Sequence, residues 1–212
     1  EAGYDGLCID PAVHEIEDCR KLRPLYREYG LKCMVNAFPA AVEELAPLLD
    51  LALELDARLV NVIGQVMPLR VEEGVALVRR WMRDAERVGL PLLFETHRDC
   101  TLNDLYYTLQ LMDAVPDMRL CADLSHYVID REMRLPLGDL DRAYMHRILK
   151  RSDCFQGRIA NRIMQTGPSL RYVEKNSGCR GYILRPLSGR LLPETIPELE
   201  GMVDRSQLID LS

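Results

Sequence analysis

Apolar and polar residues along this chain alternate between two rhythms. Short apolar runs at 6–10, 31–38, 59–63, 92–94, 120–122 and 154–160 have the length of strands. Between them, longer stretches repeat apolar residues at helical spacing. Residues 15–29 carry Ile16, Cys19, Leu22, Leu25 and Tyr26 on one side and stop at Gly30. Residues 41–55 carry Leu45, Leu48, Leu49, Ala52 and Leu55 in the same way. The pattern predicts further helices over 71–88, ended by Gly89, over 103–115 and over 140–150. Strands separated by amphipathic helices, at a spacing of about 30 residues, predict a parallel sheet with right-handed crossovers. An open doubly wound sheet and a barrel both satisfy that pattern. No GxGxxG or GxxxxGK[ST] follows any strand, so the usual mark of a nucleotide-binding sheet is missing.

Composition narrows the class. The chain has 212 residues, 48% hydrophobic and 28% charged, enough for one sizeable core. No apolar run approaches the roughly 20 residues of a membrane span, and the first residues resemble no secretion signal. The seven cysteines form no CxxC pair, and Cys8, Cys33 and Cys121 sit in strand-like runs. They read as reduced core thiols, which suits the cytoplasm. The net charge of −6 and the lack of a basic stripe argue against nucleic acid as the partner. The run Arg79, Arg80, Arg83 and Arg87 reads as a solvated helix face, with Trp81 turned to the core, and His14 and His146 read as surface or structural.

Candidate chemistry concentrates in residues 91–126. Leu92-Leu93-Phe94 runs into Glu95-Thr96-His97-Arg98, and Leu120-Cys121-Ala122 runs into Asp123-Leu124-Ser125-His126. Acids and imidazoles at the ends of successive strands belong to the carboxyl end of a parallel sheet, where α/β barrels keep their chemistry. Each residue also has a structural reading. Glu95 is a possible partner of Arg98, Asp123 a possible helix cap, and His126 a possible core histidine. His97 suits substrate contact or structure equally.

Four segments, AGYDGLCID, FETHRD, ADLSHYV and FQGRIANR, stand in an order that resembles the sugar phosphate isomerase/epimerase family. These are the xylose isomerase-like TIM barrels that also include endonuclease IV. The resemblance covers residues 1–162 and implies a (β/α)8 barrel, incomplete here, with about six recognisable strands and no first strand. It implies a divalent metal held by Glu95, Asp123 and Gln156, with Mn²⁺, Mg²⁺ or Co²⁺ suiting oxygen donors better than Zn²⁺. It assigns Glu95 and His126 to catalysis and His97, Arg98 and Arg158 to substrate, Arg158 alternatively being an ion-pair partner of Glu95 or Asp123. The expected substrate is a small carbohydrate, whether a sugar, a sugar phosphate or a related polyol, with neither nucleic acid nor membrane as partner, and a homo-oligomer is compatible with the resemblance.

Two features depart from the family. Gln156 stands where the family has a metal-binding histidine, so weak metal binding is expected. No long helix leads to a last-strand glutamate after Arg162. Residues 163–212 hold four prolines and five glycines, with six acidic and six basic side chains, and read as a divergent tail packing poorly on the barrel. Within it, 181–187 suits a strand and 196–203 a short helix. Three functions are therefore weighed: a metal-dependent sugar isomerase or epimerase, a non-catalytic member, and a phosphodiesterase resembling endonuclease IV. The last needs more strand-end histidines than the four in this chain supply.

Overall fold

The computed structural model describes residues 4–134, 136–156, 170–175 and 182–186. Six parallel strands form one sheet: β1 Gly6–Ile9, β2 Lys32–Ala37, β3 Val60–Val62, β4 Leu92–Glu95, β5 Leu120–Ala122 and β6 Ser152–Phe155. They lie side by side in chain order, so every crossover advances to the next neighbour. A doubly wound sheet reverses its strand order at a switch point, and this one never does. The architecture is therefore an incomplete TIM barrel, six strands curled in one direction.

The central strands β3, β4 and β5 are buried on both faces, with successive side chains turned to opposite sides. Val35, Val60, Phe94 and Ala122 face the helices and join the main core. Their neighbours Leu59, Leu93 and Cys121, with Met34 and Cys154 at the margin, form a second apolar cluster on the inner face. Cys8 belongs to the same register, opposite Met34, but is exposed. That corrects the core reading of this thiol: among the described residues, β1 pairs with β2 alone.

The helices that cover the outer face are α1 Ile16–Arg20, α2 Arg23–Glu28, α3 Leu45–Glu54, α4 Val71–Val88, α5 Leu105–Ala114, α6 Ser125–Asp130 and α7 Asp139–Lys150. The helix expected over 15–29 is broken in two. Pro24 enters at the first turn of α2, and its ring and missing N–H cannot continue a helix coming from Arg20. Helix 41–55 opens with a 3-10 turn, Val42–Glu44, before α3. In α4 the sequence expectation holds end to end, because Gly89 closes it at φ 71°, a left-handed cap that costs glycine little. Trp81 of α4 is fully buried, stacks on Phe94 with ring centroids 6.4 Å apart, and donates its indole N–H to Val42 O at 2.9 Å. The indole also presses on Gly64, where a Cβ would meet it at 2.5 Å. The arginines flanking Trp81 lie at the surface and form ion pairs, Arg79 with Asp117 and both Arg80 and Arg87 with Asp84.

Three differences concern the later elements. Helix α6 was not expected; it begins inside the polar motif that follows β5. The strand read at 154–160 is found at Ser152–Phe155, and residues 157–160 lie outside the described ones. Strand β8, Tyr182–Pro186, matches the expectation for 181–187 and pairs antiparallel with an unexpected β7, Leu170–Lys175. The helix read at 196–203 and the packing of the tail lie outside the described residues.

Candidate functional site

The inner face changes character at the carboxyl ends of the strands. Two residues beyond Cys8, Met34, Leu59, Leu93, Cys121 and Cys154 stand Asp10, Asn36, Asn61, Glu95, Asp123 and Gln156. Every strand thus ends its inward column with a polar side chain on an apolar one. Four of the six are joined in a hydrogen-bonded row. Asn36 Nδ2 donates to Asp10 Oδ1 at 2.7 Å, and Asn61 Nδ2 donates to Asn36 Oδ1 at 2.9 Å. Asn61 Nδ2 also donates to Glu95 Oε2. The row runs from exposed Asp10 to Glu95, which is 3% exposed. A buried carboxylate needs donors to remain charged, and Asn61, itself fully buried, supplies one.

Glu95 ends β4, and Asp123 follows β5 on the adjacent strand. Thr96 ties the two strand ends together: its hydroxyl donates to Asp123 O at 3.0 Å and accepts from Asp123 N at 2.9 Å. Asp123 Oδ1 accepts from Ser125 N at 3.1 Å and from the Ser125 hydroxyl, which starts α6. Asp123 thus holds the turn that leads into α6, although the N-cap position itself is Leu124. Asp123 Oδ2 lies 3.4 Å from His126 Nε2. The His126 ring, 3% exposed, meets the His97 ring with centroids 4.1 Å apart. His97 Nδ1–H donates to Arg98 O at 2.7 Å, since a carbonyl can only accept.

The loop carrying His97 is pinned. Thr101 Oγ1 donates to Val66 O at 2.7 Å, and the Cys100 thiol contacts His97 O at 2.7 Å. Burial pushes that thiol up to about 12, so it stays a neutral donor.

Of the residues singled out in the sequence, Glu95, Asp123, His126 and His97 stand together at one end of the sheet. Gln156 follows β6 beside Asp123, half-buried, with its N–H bonded to Ala122 O at 2.9 Å. Arg98 is exposed, and Arg158 lies outside the described residues. Asp10, Asn36 and Asn61 were missed. The two asparagines carried a signal, because a small amide in mid-strand is disfavoured by strand chemistry, and Asp10 follows an apolar run as Glu95 and Asp123 do.

The donor chemistry fits a hard divalent ion in part. Glu95 and Asp123 are buried oxygen donors on adjacent strands. Asn61 Oδ1 is buried with no hydrogen-bond partner among the described residues. No group of three or more His, Cys, Asp or Glu among the described residues is arranged to hold a metal. No described helix is long and apolar enough to cross a membrane.

No family model and no curated protein matches the chain. Solved structures do. D-allulose 3-epimerase from Methylomonas sp. matches at TM-score 0.55 and 17% identity over 73% of this chain and 62% of that one. D-psicose 3-epimerase, solved in the presence of D-fructose, matches at TM-score 0.53 and 15% identity over 72% and 62%. A xylose isomerase-like TIM barrel protein from Mycobacterium smegmatis in complex with magnesium matches at TM-score 0.53 and 15% identity over 87% and 68%. The chain spans 62% of the length of the two epimerases. Its fold is that of the xylose isomerase-like TIM barrels.

Proposed function

We propose that the protein is a divalent-metal-dependent isomerase or epimerase of a small carbohydrate. The observation that carries this reading is the polar row at the strand ends, with Glu95 and Asp123 buried on adjacent strands and two histidine rings beside them. Glu95 acts as the base. It takes the proton from the carbon next to the sugar's carbonyl and the electron pair moves to the carbonyl oxygen, leaving an enediolate. Isomerisation returns the proton to the former carbonyl carbon while the hydroxyl proton passes to the other oxygen, and epimerisation returns a proton to the same carbon from the opposite face. Asn61 fixes Glu95 through its amide donor, and Asp123 and Thr96 hold the neighbouring strand end. His126 and His97 supply ring edges for the substrate's hydroxyls, with Arg98 and Arg158 as further substrate contacts. Glu95, Asp123 and Gln156 would hold an Mn²⁺, Mg²⁺ or Co²⁺ ion, which when bound polarises the carbonyl and acidifies the adjacent C–H. The alternative, a non-catalytic member of the same fold, draws on the lack of a three-ligand cluster among the described residues.

The test is interconversion of small ketoses and aldoses with added Mn²⁺, followed by chromatography. Glu95→Gln should lose about 10²- to 10⁴-fold in rate, the range of a lost general base. Asp123→Asn should weaken Mn²⁺ binding by calorimetry. Full activity in Glu95→Gln overturns the assignment, and no turnover by the parent favours the non-catalytic reading.

A further inference from the structure

A cleft of about 320 Å³ opens beside the polar row. It lies above the carboxyl ends of the first three strands and is lined by Asp10, Pro11, Ala12, Val13, His14, Phe38, Ala40, Glu44 and Gln65. Asp10 is shared between the cleft and the row, so hydrogen bonds run unbroken from the cleft wall to Glu95. Gln65 and Phe38 follow β3 and β2, one to two strand spacings from β4, about 5–10 Å across the sheet. That is the reach of a small sugar.

The lining sets four polar residues among five apolar ones, and polar groups placed on apolar walls are what orient a small ligand. Its polar members are two carboxylates, an amide and an imidazole. The described lining holds no lysine or arginine. Glu44 Oε2 accepts from Ala40 N at 2.8 Å, which keeps that carboxylate at the rim. Hydroxyl groups can donate to Asp10, Glu44 and the Gln65 carbonyl. A phosphate brings only negative charge and acceptor oxygens, and meets two carboxylates. His14 is exposed and offers the sole imidazole donor there. We propose that this cleft is a substrate subsite for the non-reacting, hydroxylated end of an uncharged sugar or polyol, and that it disfavours a phosphorylated one. The sequence alone left sugar and sugar phosphate equal. This inference rests on the isomerase reading for why a sugar enters, but its test reads binding alone.

Calorimetry with the full chain and Mn²⁺ compares a free ketohexose with its 6-phosphate at low salt. The free sugar should bind about tenfold tighter, the scale of one like-charge encounter. Asp10→Asn with Glu44→Gln should shrink the gap, because both amides still accept hydrogen bonds but carry no charge. Gln65→Lys, at an exposed position, should raise affinity for the phosphate ester selectively. A phosphate ester that binds the parent equally or tighter, or an absence of binding by both sugars, overturns the proposal. Binding preference retained in an active Glu95→Gln variant would sink the base assignment and leave the subsite standing.

Discussion

Asn61 shows how one residue connects fold and site. Its backbone pairs with Asn36 and Leu93 on the two flanking strands, and its side chain bonds Asn36 and Glu95. Replacing it with leucine keeps the volume roughly and removes the donor. Glu95 would then lose a hydrogen bond in a buried setting, a loss of about 1–3 kcal/mol. Urea unfolding of Asn61→Leu should report that loss, and the proposed isomerase activity should fall with it. A stability equal to the parent's would mean that the Asn61–Glu95 contact contributes little. Glu95 and Asp123 were legible in the sequence because each follows an apolar run with a carboxylate, whereas Gln156 stood out only against the family's pattern. Asn61 and Asn36 were not, because they sit inside runs that read as ordinary strands. Only the register shows that all of them share the inner face.

Among the elements, periodicity located most helices and strands, and failed where local chemistry competed with it. Pro24 splits one helix, and α6 forms where the hydrogen bonds from Ser125 to Asp123 turn the chain out of β5. Helices α1 and α3 are then clamped from outside by Arg20, whose Nε and guanidinium nitrogen reach Glu54 at 2.5 and 3.0 Å. The Arg20 hydrogen bond holds the Glu54 carboxyl below its ordinary value. A carboxylate whose folded value is depressed stabilises above its unfolded value and loses that contribution as pH falls through the folded one. The pair is exposed, so its share is modest. Thermal melts of the parent should therefore decline as pH drops below the usual carboxylate range, and Glu54→Gln should flatten part of that slope. An unchanged slope in the variant would show that the clamp carries none of it.

At the scale of the molecule, chain order decides the architecture. Alternating strands and helices left an open sheet and a barrel equally available in the sequence. The neighbour-to-neighbour order β1 through β6 settles it, and no local pattern encodes that order. The inner strands have partners on both sides, whereas β1 and β6 each pair on one side within this sheet. Amide exchange should accordingly be slowest around Val60, Phe94 and Ala122 and faster at Leu7. Equal protection of β1 and β4 would show that the β1 edge is covered.

In the proposed reaction Glu95 moves a carbon-bound proton of a bound sugar. Deuterium wash-in measures this most directly. The chain is incubated with Mn²⁺ and a free ketose in D2O, and the carbon next to the carbonyl is followed by NMR. Deuterium is expected at that carbon with the parent chain and none above background with Glu95→Gln. Equal incorporation by both chains, or none by the parent with any small ketose, would contradict the proposed reaction.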